Sequence, residues 1–341
     1  MSPKNLNASK KTHNFLLNKL KNKRILQIYN KFESDLKVNN DFIVAISGGP
    51  DSLALSFLAK IFAIKNSLKI KYFIVDHKLR KDSTSEAKNV QRHLKNYSIN
   101  LDILSWNGRK PKKNIQSVAR DKRYELLVNK AKKHKIKNIL LGHHLDDLFE
   151  NFFIRILRGS GLNGLISLDR ETKKNEVNLI RPLIHVDKKD LIYISKNIFG
   201  KYVNDPTNKD NQYKRVKIRN FLNQLNLEGL DRNKFFLTIK NLKIANENAK
   251  FYVKKNLDEN VTFLQKKQKA ILKESFFFQS DEVLFRSFVE LIQIIGKKYY
   301  PVRGKKIDNI IDLIHLKSSF KITLGGCIIK KANGTIILSK E

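Results

Sequence analysis

In the first half of the chain, short unbroken apolar runs alternate with stretches of helical spacing. Leu16, Leu17, Leu20, Ile25, Ile28 and Phe32 recur at three- and four-residue steps and predict a helix over 14–35. The run DFIVAIS at 41–47 then predicts a short buried strand that ends in glycines. An apolar helix over 51–64 follows, then a strand over 69–76, a helix over 83–97 and a strand over 99–105. A long helix over 114–133, a strand over 137–142 and a helix over 145–158 complete the series. Strands apolar on both faces and alternating with helices predict parallel βαβ units. Past about residue 180 the pattern changes. An amphipathic helix is expected over 188–198, a polar turn-rich loop over 200–214 and mostly helix over 216–295. Strands return at 320–326, 327–331 and 334–340, with Asn333-Gly334 as a hairpin turn. The fold class predicted is α/β, a parallel sheet with flanking helices, followed by a helical region and a small α+β C-terminal domain. The expected boundaries are a basic helical extension over 1–40, an α/β domain over 41–215, a helical connector over 216–295 and a small module over 296–341.

Charge alters this picture. Lys and Arg number 68 against 32 Asp and Glu in 341 residues, a formal net charge of +36. Such an excess repels itself unless a polyanion is near, so RNA or DNA is the leading partner class and an acidic membrane surface the second. An apolar content of 41% is enough for a core and argues against a wholly disordered chain. The single cysteine, Cys327, excludes an intramolecular disulfide and any CxxC metal or redox site. The sequence has no run of 18 apolar residues and no apolar segment of a secretory signal near its start, so no membrane span is expected and the cytoplasm is the expected location.

Candidate chemistry clusters at the ends of the predicted strands, where open parallel sheets bind ligands. The first strand feeds Ser47-Gly48-Gly49-Pro50-Asp51-Ser52 and then a helix. Glycines allow close backbone approach, and the free N–H groups of a helix start form an anion nest. The alternative is a turn in which Ser or Asp caps the helix. The second strand ends in Asp76-His77, open to the same two readings. Arg120, Arg123 and Tyr124 share one face of the long helix, where paired arginines suit phosphate. The densest group is His143, His144, Asp146, Asp147 and Glu150, at a strand end and helix start. These carboxylates suit Mg²⁺, an ammonium group or a general base. Helix-dipole stabilisation needs fewer acids, and a transition-metal site lacks soft ligands. Arg215 and Arg219 share a later helix face and suit RNA phosphate or substrate, with a plain linker helix as the alternative.

SGGPDS after an apolar strand resembles the signature loop of the PP-loop ATP pyrophosphatases, which holds the pyrophosphate portion of ATP. Within that superfamily the chain resembles the tRNA(Ile)-lysidine synthases. The matching segments are Asp76-His77-Lys78-Leu79-Arg80 and the run from Asn114 through Arg120 and Arg123 to Tyr124. GHHLDDLFE with Arg155, Arg158, Gly159, Ser160 and Gly161 follows, then Arg181-Pro182-Leu183. Asn204-Asp205-Pro206-Thr207-Asn208 with Tyr213, Arg215 and Arg219 completes the set. Leu148 stands where the family has Gln, Asn151 where it has Thr, and Lys217 where it has Arg.

The resemblance implies ATP-dependent ligation of free L-lysine to C2 of cytidine 34 in the CAU anticodon of tRNA(Ile), through an adenylated tRNA, with release of AMP and diphosphate. It assigns ATP to Ser47, Gly48, Gly49, Pro50, Asp51, Ser52, Asp76, His77, Arg120 and His143. It assigns substrate and tRNA to His144, Arg155, Arg158, Arg215 and Arg219, and catalysis to Asp51, Asp146, Asp147 and Glu150. Mg²⁺ falls to Asp51, with Asp147 as a second candidate. A homodimer is an assembly it allows. The tail is expected to bind tRNA, with Gly325 and Gly326 giving a bulge or a close RNA approach, or else a plain turn. Three rival readings are a tRNA thiolase, which needs cysteines near its site, an amide-forming synthetase, and a non-catalytic RNA-binding module.

Overall fold

A computed structural model of the chain describes residues 3–80, 82–108, 111, 114–203, 212, 214–264, 268–298, 302 and 304–341. The chain divides into two compact units, Met1–Leu230 and Asp231–Glu341.

The first unit opens with α1 (Pro3–Asn18), a short 3-10 turn and α2 (Lys23–Asp35). The single helix expected over 14–35 is broken because Asn22 leaves the helical region and its side chain accepts the Ile25 N–H at 3.1 Å, capping a new helix. These helices are no mere extension. Leu16, Ile25, Tyr29 and Phe32 are buried in the same core as Phe57 and Phe62. The βα series follows: β1 (Phe42–Ile46), α3 (Pro50–Lys65), β2 (Ile70–Asp76), α4 (Ser83–Lys95), β3 (Leu101–Ser105) and α5 (Ile115–Lys133). Then come β4 (Asn138–Leu140), α6 (Leu145–Ile156), the single turn α7 (Leu162–Leu165), β5 (Glu171–Lys174), β6 (Val177–Ile180), α8 (Lys188–Phe199) and α9 (Lys214–Leu227).

The six strands lie in the order β3-β2-β1-β4-β6-β5, parallel except for the edge strand β5. Side chains alternate across the sheet, so Phe42 and Val44 enter one core with α3 and α8 while Ile43 enters the other with Tyr124, Leu127 and Val128 of α5. This two-sided burial is why the strands read as continuous apolar runs. The β5–β6 hairpin was not expected. Its turn residues Asn175 and Glu176 have φ of 48° and 68°, left-handed conformations that no glycine announces. The strand order reverses between β1 and β4. Beyond their carboxyl ends lies the crevice in which such sheets bind ligands.

The second unit comprises α10 (Arg232–Asn260), β7 (Val261–Leu264), β8 (Lys269–Leu272), α11 (Asp281–Gly296), α12 (Gly304–Leu316), β9 (Phe320–Leu324), β10 (Cys327–Ala332) and β11 (Thr335–Lys340). Its antiparallel sheet has the order β7-β8-β11-β10-β9. The stretch 216–295 is mostly helical as expected, and β7 and β8 are two short strands within it. β8 pairs with β11, Leu272 opposite Ile336, so the expected connector and tail are woven into one sheet. One core holds Val253, Phe276, Phe288, Ile307, Cys327 and Leu338. Gly325 and Gly326, at φ of 63° and 81°, turn β9 into β10 against the end of α11. A Cβ on Gly296 would lie 2.1 Å from the Gly325 oxygen. The glycine pair is therefore a turn that admits a helix end.

Candidate active site

The loop after β1 is built by its own side chains. Ser52 is buried, and its Oγ accepts the Ser47 N–H at 3.0 Å, lies 3.1 Å from Ser47 Oγ and donates to the Gly49 carbonyl at 3.0 Å. Ser52 thus shapes the loop from inside. Gly48 has φ of +84°, and its carbonyl accepts the Val203 N–H at 3.0 Å. Pro50 begins α3 with the φ a first helical turn requires. The first-turn N–H groups of α3 lack intrahelical acceptors and suit an anion. A cavity of about 610 Å³ lies behind this loop, bordered by Gly48, Val90, Arg92, His93 and Lys201. The carboxylate cluster takes no part in its lining.

β4 ends against the same helix start. A Cβ on Gly142 would lie 3.3 Å from the Ser52 nitrogen and 3.4 Å from the Asp51 carbonyl carbon, so glycine lets the end of β4 sit tightly against the start of α3. The approach sets His144 beside Asp51. His144 Nε2 is 3.5 Å from Asp51 Oδ2 and 3.5 Å from Asp147 Oδ2, and Nδ1 is 3.6 Å from Asp146 Oδ2. Its backbone N–H donates to Asp147 Oδ2 at 3.1 Å at the start of α6. Burial works against a charged His144, but Asp147, Asp51 and Asp146 outweigh it and raise its pKa. Asp147 answers in kind. Burial opposes its charge, yet His144, His143 and Arg215 hold its carboxyl well below the usual range. The neighbouring imidazole is opposite in character. Burial, with Arg120, Arg181 and Arg123 overriding Asp147, pushes His143 down to about 3 and keeps it neutral. One motif therefore holds two histidines whose surroundings push them in opposite directions.

Below the cluster, Glu150 is 1% exposed, and Arg219 Nε donates to its Oε1 at 2.8 Å. Arg215 Nε lies 3.3 Å from Oε2, and its NH2 lies 3.6 Å from Asp147 Oδ1. Arg120 and Arg123 stack over the Tyr124 ring at 5.1 and 5.8 Å, with Lys174 at 5.4 Å. Arg181 is buried beside them, its NH1 bonded to the Asp169 carbonyl at 2.8 Å and to Thr172 at 3.2 Å. Arg123, Arg181 and Lys174 were not among the assigned site residues. The Arg-Pro-Leu segment after β6 was the signal for Arg181. Arg155 and Arg158, at and just past the end of α6, do not join the cluster. At 1.5 Å rise per residue, Arg155 lies about 12 Å from Asp147 along the axis.

Asp76 is buried and committed. Ser83 Oγ and the Lys78 N–H donate to Oδ1 at 2.8 and 2.9 Å, and Thr84 Oγ1 donates to Oδ2 at 2.6 Å. Burial would raise its pKa, but these donors hold it low. It ties β2 to the first turn of α4. His77 packs edge-on against Trp106, with centroids 6.2 Å apart. Asn204, Asp205, Pro206, Thr207, Asn208 and Tyr213 lie outside the described residues.

Among the described residues, no group of three or more His, Cys, Asp or Glu side chains is arranged to hold a metal ion alone. Asp51 Oδ1 is nevertheless buried without a hydrogen-bond partner. A single such carboxylate fits Mg²⁺, which takes most of its ligands from phosphates and water.

A family model described as a PP-loop domain matches residues 17–226. A tRNA(Ile)-lysidine synthase of Orientia tsutsugamushi is 34% identical over 315 residues, covering 89% of this chain and 70% of the relative. One of Wolbachia pipientis wMel is 31% identical, covering 93% and 74%. The solved U34-tRNA thiolase NcsA from Methanococcus maripaludis shares the fold, with a TM-score of 0.57 at 16% identity over 66% of this chain and 79% of that one. The family match spans the loop, the histidine–carboxylate cluster and α9, and the relatives extend it through the second unit: the chain belongs to the tRNA(Ile)-lysidine synthase family of PP-loop enzymes.

Proposed function

We propose that the chain ligates free L-lysine to C2 of cytidine 34 in tRNA(Ile), with the crevice at the ends of β1 and β4 as its reaction centre. The observation that carries this reading is the gathering of Asp51, Asp146 and Asp147 around the His144 ring, each within 3.6 Å. Three carboxylates gathered around one imidazole suit a bound cation such as the lysine ammonium.

In the first step the cytidine O2 attacks the α-phosphorus of ATP. The O–P bond forms, and the bond to diphosphate breaks. The loop Ser47–Ser52 and the start of α3 receive the departing diphosphate through backbone N–H groups. Asp51 would hold Mg²⁺ through its unpartnered Oδ1, and the ion would supply charge neutralisation at the phosphates. Arg120, Arg123 and Arg181 suit the AMP portion.

In the second step the lysine amine attacks C2, a C–N bond forms, and AMP leaves with the oxygen. A free amine with pKa of about 10.4 is mostly protonated at pH 7, which withholds the nucleophile by roughly 4–5 kcal/mol. A carboxylate must pair with the ammonium and then accept its proton. Asp147, held far below its usual range, is the charge partner and a poor proton acceptor. Asp146, whose side chain is 25% exposed, is the acceptor. Neutral His143 adds no charge that would repel the ammonium.

Residues 231–341 carry 22 Lys and Arg against 11 Asp and Glu, a net charge that suits the tRNA body. Among the described residues no helix is long and apolar enough to cross a membrane, and the reading places the protein in the cytoplasm. The thiolase alternative loses its chemistry. Cys327 lies in the core of the second unit, and burial pushes its thiol up to about 11. Diphosphate release from purified protein and Mg-ATP should require tRNA, and AMP release should require lysine as well. AMP release independent of tRNA would overturn the reading.

A further inference from the structure

A buried carboxylate is costly unless both oxygens meet cations. Glu150 meets two from a single face of α9. Arg215 and Arg219 stand four residues apart, one helical turn, and straddle it at 3.3 and 2.8 Å. Arg215 then reaches on to Asp147, which is three residues before Glu150 on α6. The side chains of Asp146 and Asp147 keep 25% and 17% exposure, whereas Glu150 keeps 1%. Glu150 thus faces α9, sealed beneath the cluster, and does not face the crevice.

We propose that Glu150 and Arg219 are positioning residues for the lysine step. Arg219 anchors Glu150, Glu150 fixes Arg215, and Arg215 holds Asp147 against His144 in the orientation that receives the ammonium. The inference rests on the functional reading above and goes past it. It takes Glu150 out of direct catalysis and makes α9 part of the catalytic apparatus. Arg215 is 41% exposed, and among the described residues its ion-pair partners are these two carboxylates. Losing Glu150 frees it to swing into solvent, and Asp147 loses a fixed neighbour. The loop and Asp51, at the ATP end, touch neither arginine in the contacts given above.

Single-turnover reactions at saturating tRNA separate formation of the adenylated tRNA from lysine attack. Arg219→Ala should slow lysine attack about 10- to 100-fold, the scale of a small misplacement of a reacting group. Adenylation should stay within a factor of about two. Arg219→Lys should regain part of the lost rate, because it returns a cation to Glu150. A Glu150→Met/Arg219→Met protein replaces the half-buried pair with apolar groups of similar volume and should stay folded. Its lysine attack should remain slow, because Arg215 has still lost Glu150. A folded double variant that attacks at the parental rate would overturn the proposal, as would Arg219→Ala slowing both steps equally. A parental protein that transfers no lysine would instead overturn the functional reading beneath it.

Discussion

Gly48→Ala should damage the ATP loop by an amount the geometry allows to be worked out. At φ of +84° any L side chain is strained, at about 1–2 kcal/mol. The new Cβ would lie 2.7 Å from Val90 Cγ2 and 3.3 Å from Val203 Cγ2. Carbon contacts are comfortable at about 3.5–4.0 Å, and overpacking of this kind costs about 1–3 kcal/mol. The sum is about 2–5 kcal/mol, or roughly 4–20 °C in melting temperature for a unit of this size. Val203 also donates its N–H to the Gly48 carbonyl, so relief by moving the loop breaks that bond and raises the KM for ATP. Val90→Ala in the same protein removes the nearer methyl. It costs about 1–2 kcal/mol alone through lost burial, yet should return part of the loss in the double variant. The coupling energy expected is about 1–3 kcal/mol. Urea titrations of the four proteins and ATP titrations of AMP release measure both effects. A single variant with parental stability and KM would refute the reasoning, as would a cycle additive within about 0.5 kcal/mol.

Asp51→Asn should raise the Mg²⁺ concentration for half-maximal AMP release by about tenfold or more, and an unchanged Mg²⁺ titration would remove Asp51 from the ion. Asp146→Asn should slow lysine attack at pH 7 and recover as pH rises toward 9, because more free amine replaces the lost base; Asp147→Asn should recover less, and identical single-turnover profiles would reverse or abolish the division of roles. His143 titrates near 6.5 when unfolded but at about 3 in the fold, so the unfolded chain binds the extra proton and stability falls as pH drops through this window. His143→Gln should flatten that loss, seen as a smaller change in urea midpoint between pH 7 and 4.5, and a parallel pH dependence would count against it. Residues 1–230 should fold alone with one cooperative melt, whereas 1–296 should carry an unfolded segment because β9, β10 and β11 are missing from its sheet; circular dichroism showing 1–296 fully folded would contradict the two-unit division.

The parallel strands were legible because burial on both faces leaves unbroken apolar runs, as in Phe42–Ile46. The short strands were not. Glu171–Lys174 is polar on an edge, and Val261–Leu264 and Lys269–Leu272 hold four residues each, too few for a period to show. The carboxylate cluster was legible because its members lie within one helical turn of each other. The partnership of Glu150 with Arg215 and Arg219 was not, since it depends on α9 crossing α6 some 65 residues later. Arg181 was marked by its Arg-Pro-Leu segment, but its burial could not be read from the sequence among 68 basic residues. The three donors to Asp76, from Lys78, Ser83 and Thr84, were not readable because the loop's path after β2 decides which of its neighbours turn back onto it.

If the crevice joins lysine to a cytidine, the product itself carries the proof. Purified protein is incubated with Mg-ATP, isotope-labelled lysine and total tRNA, and the tRNA is digested to nucleosides and analysed by mass. Label is expected in a single nucleoside with the mass of cytidine plus lysine minus water, formed with one AMP and one diphosphate per adduct. Label in any other nucleoside, or none from a protein that still hydrolyses ATP in the presence of tRNA, would contradict it.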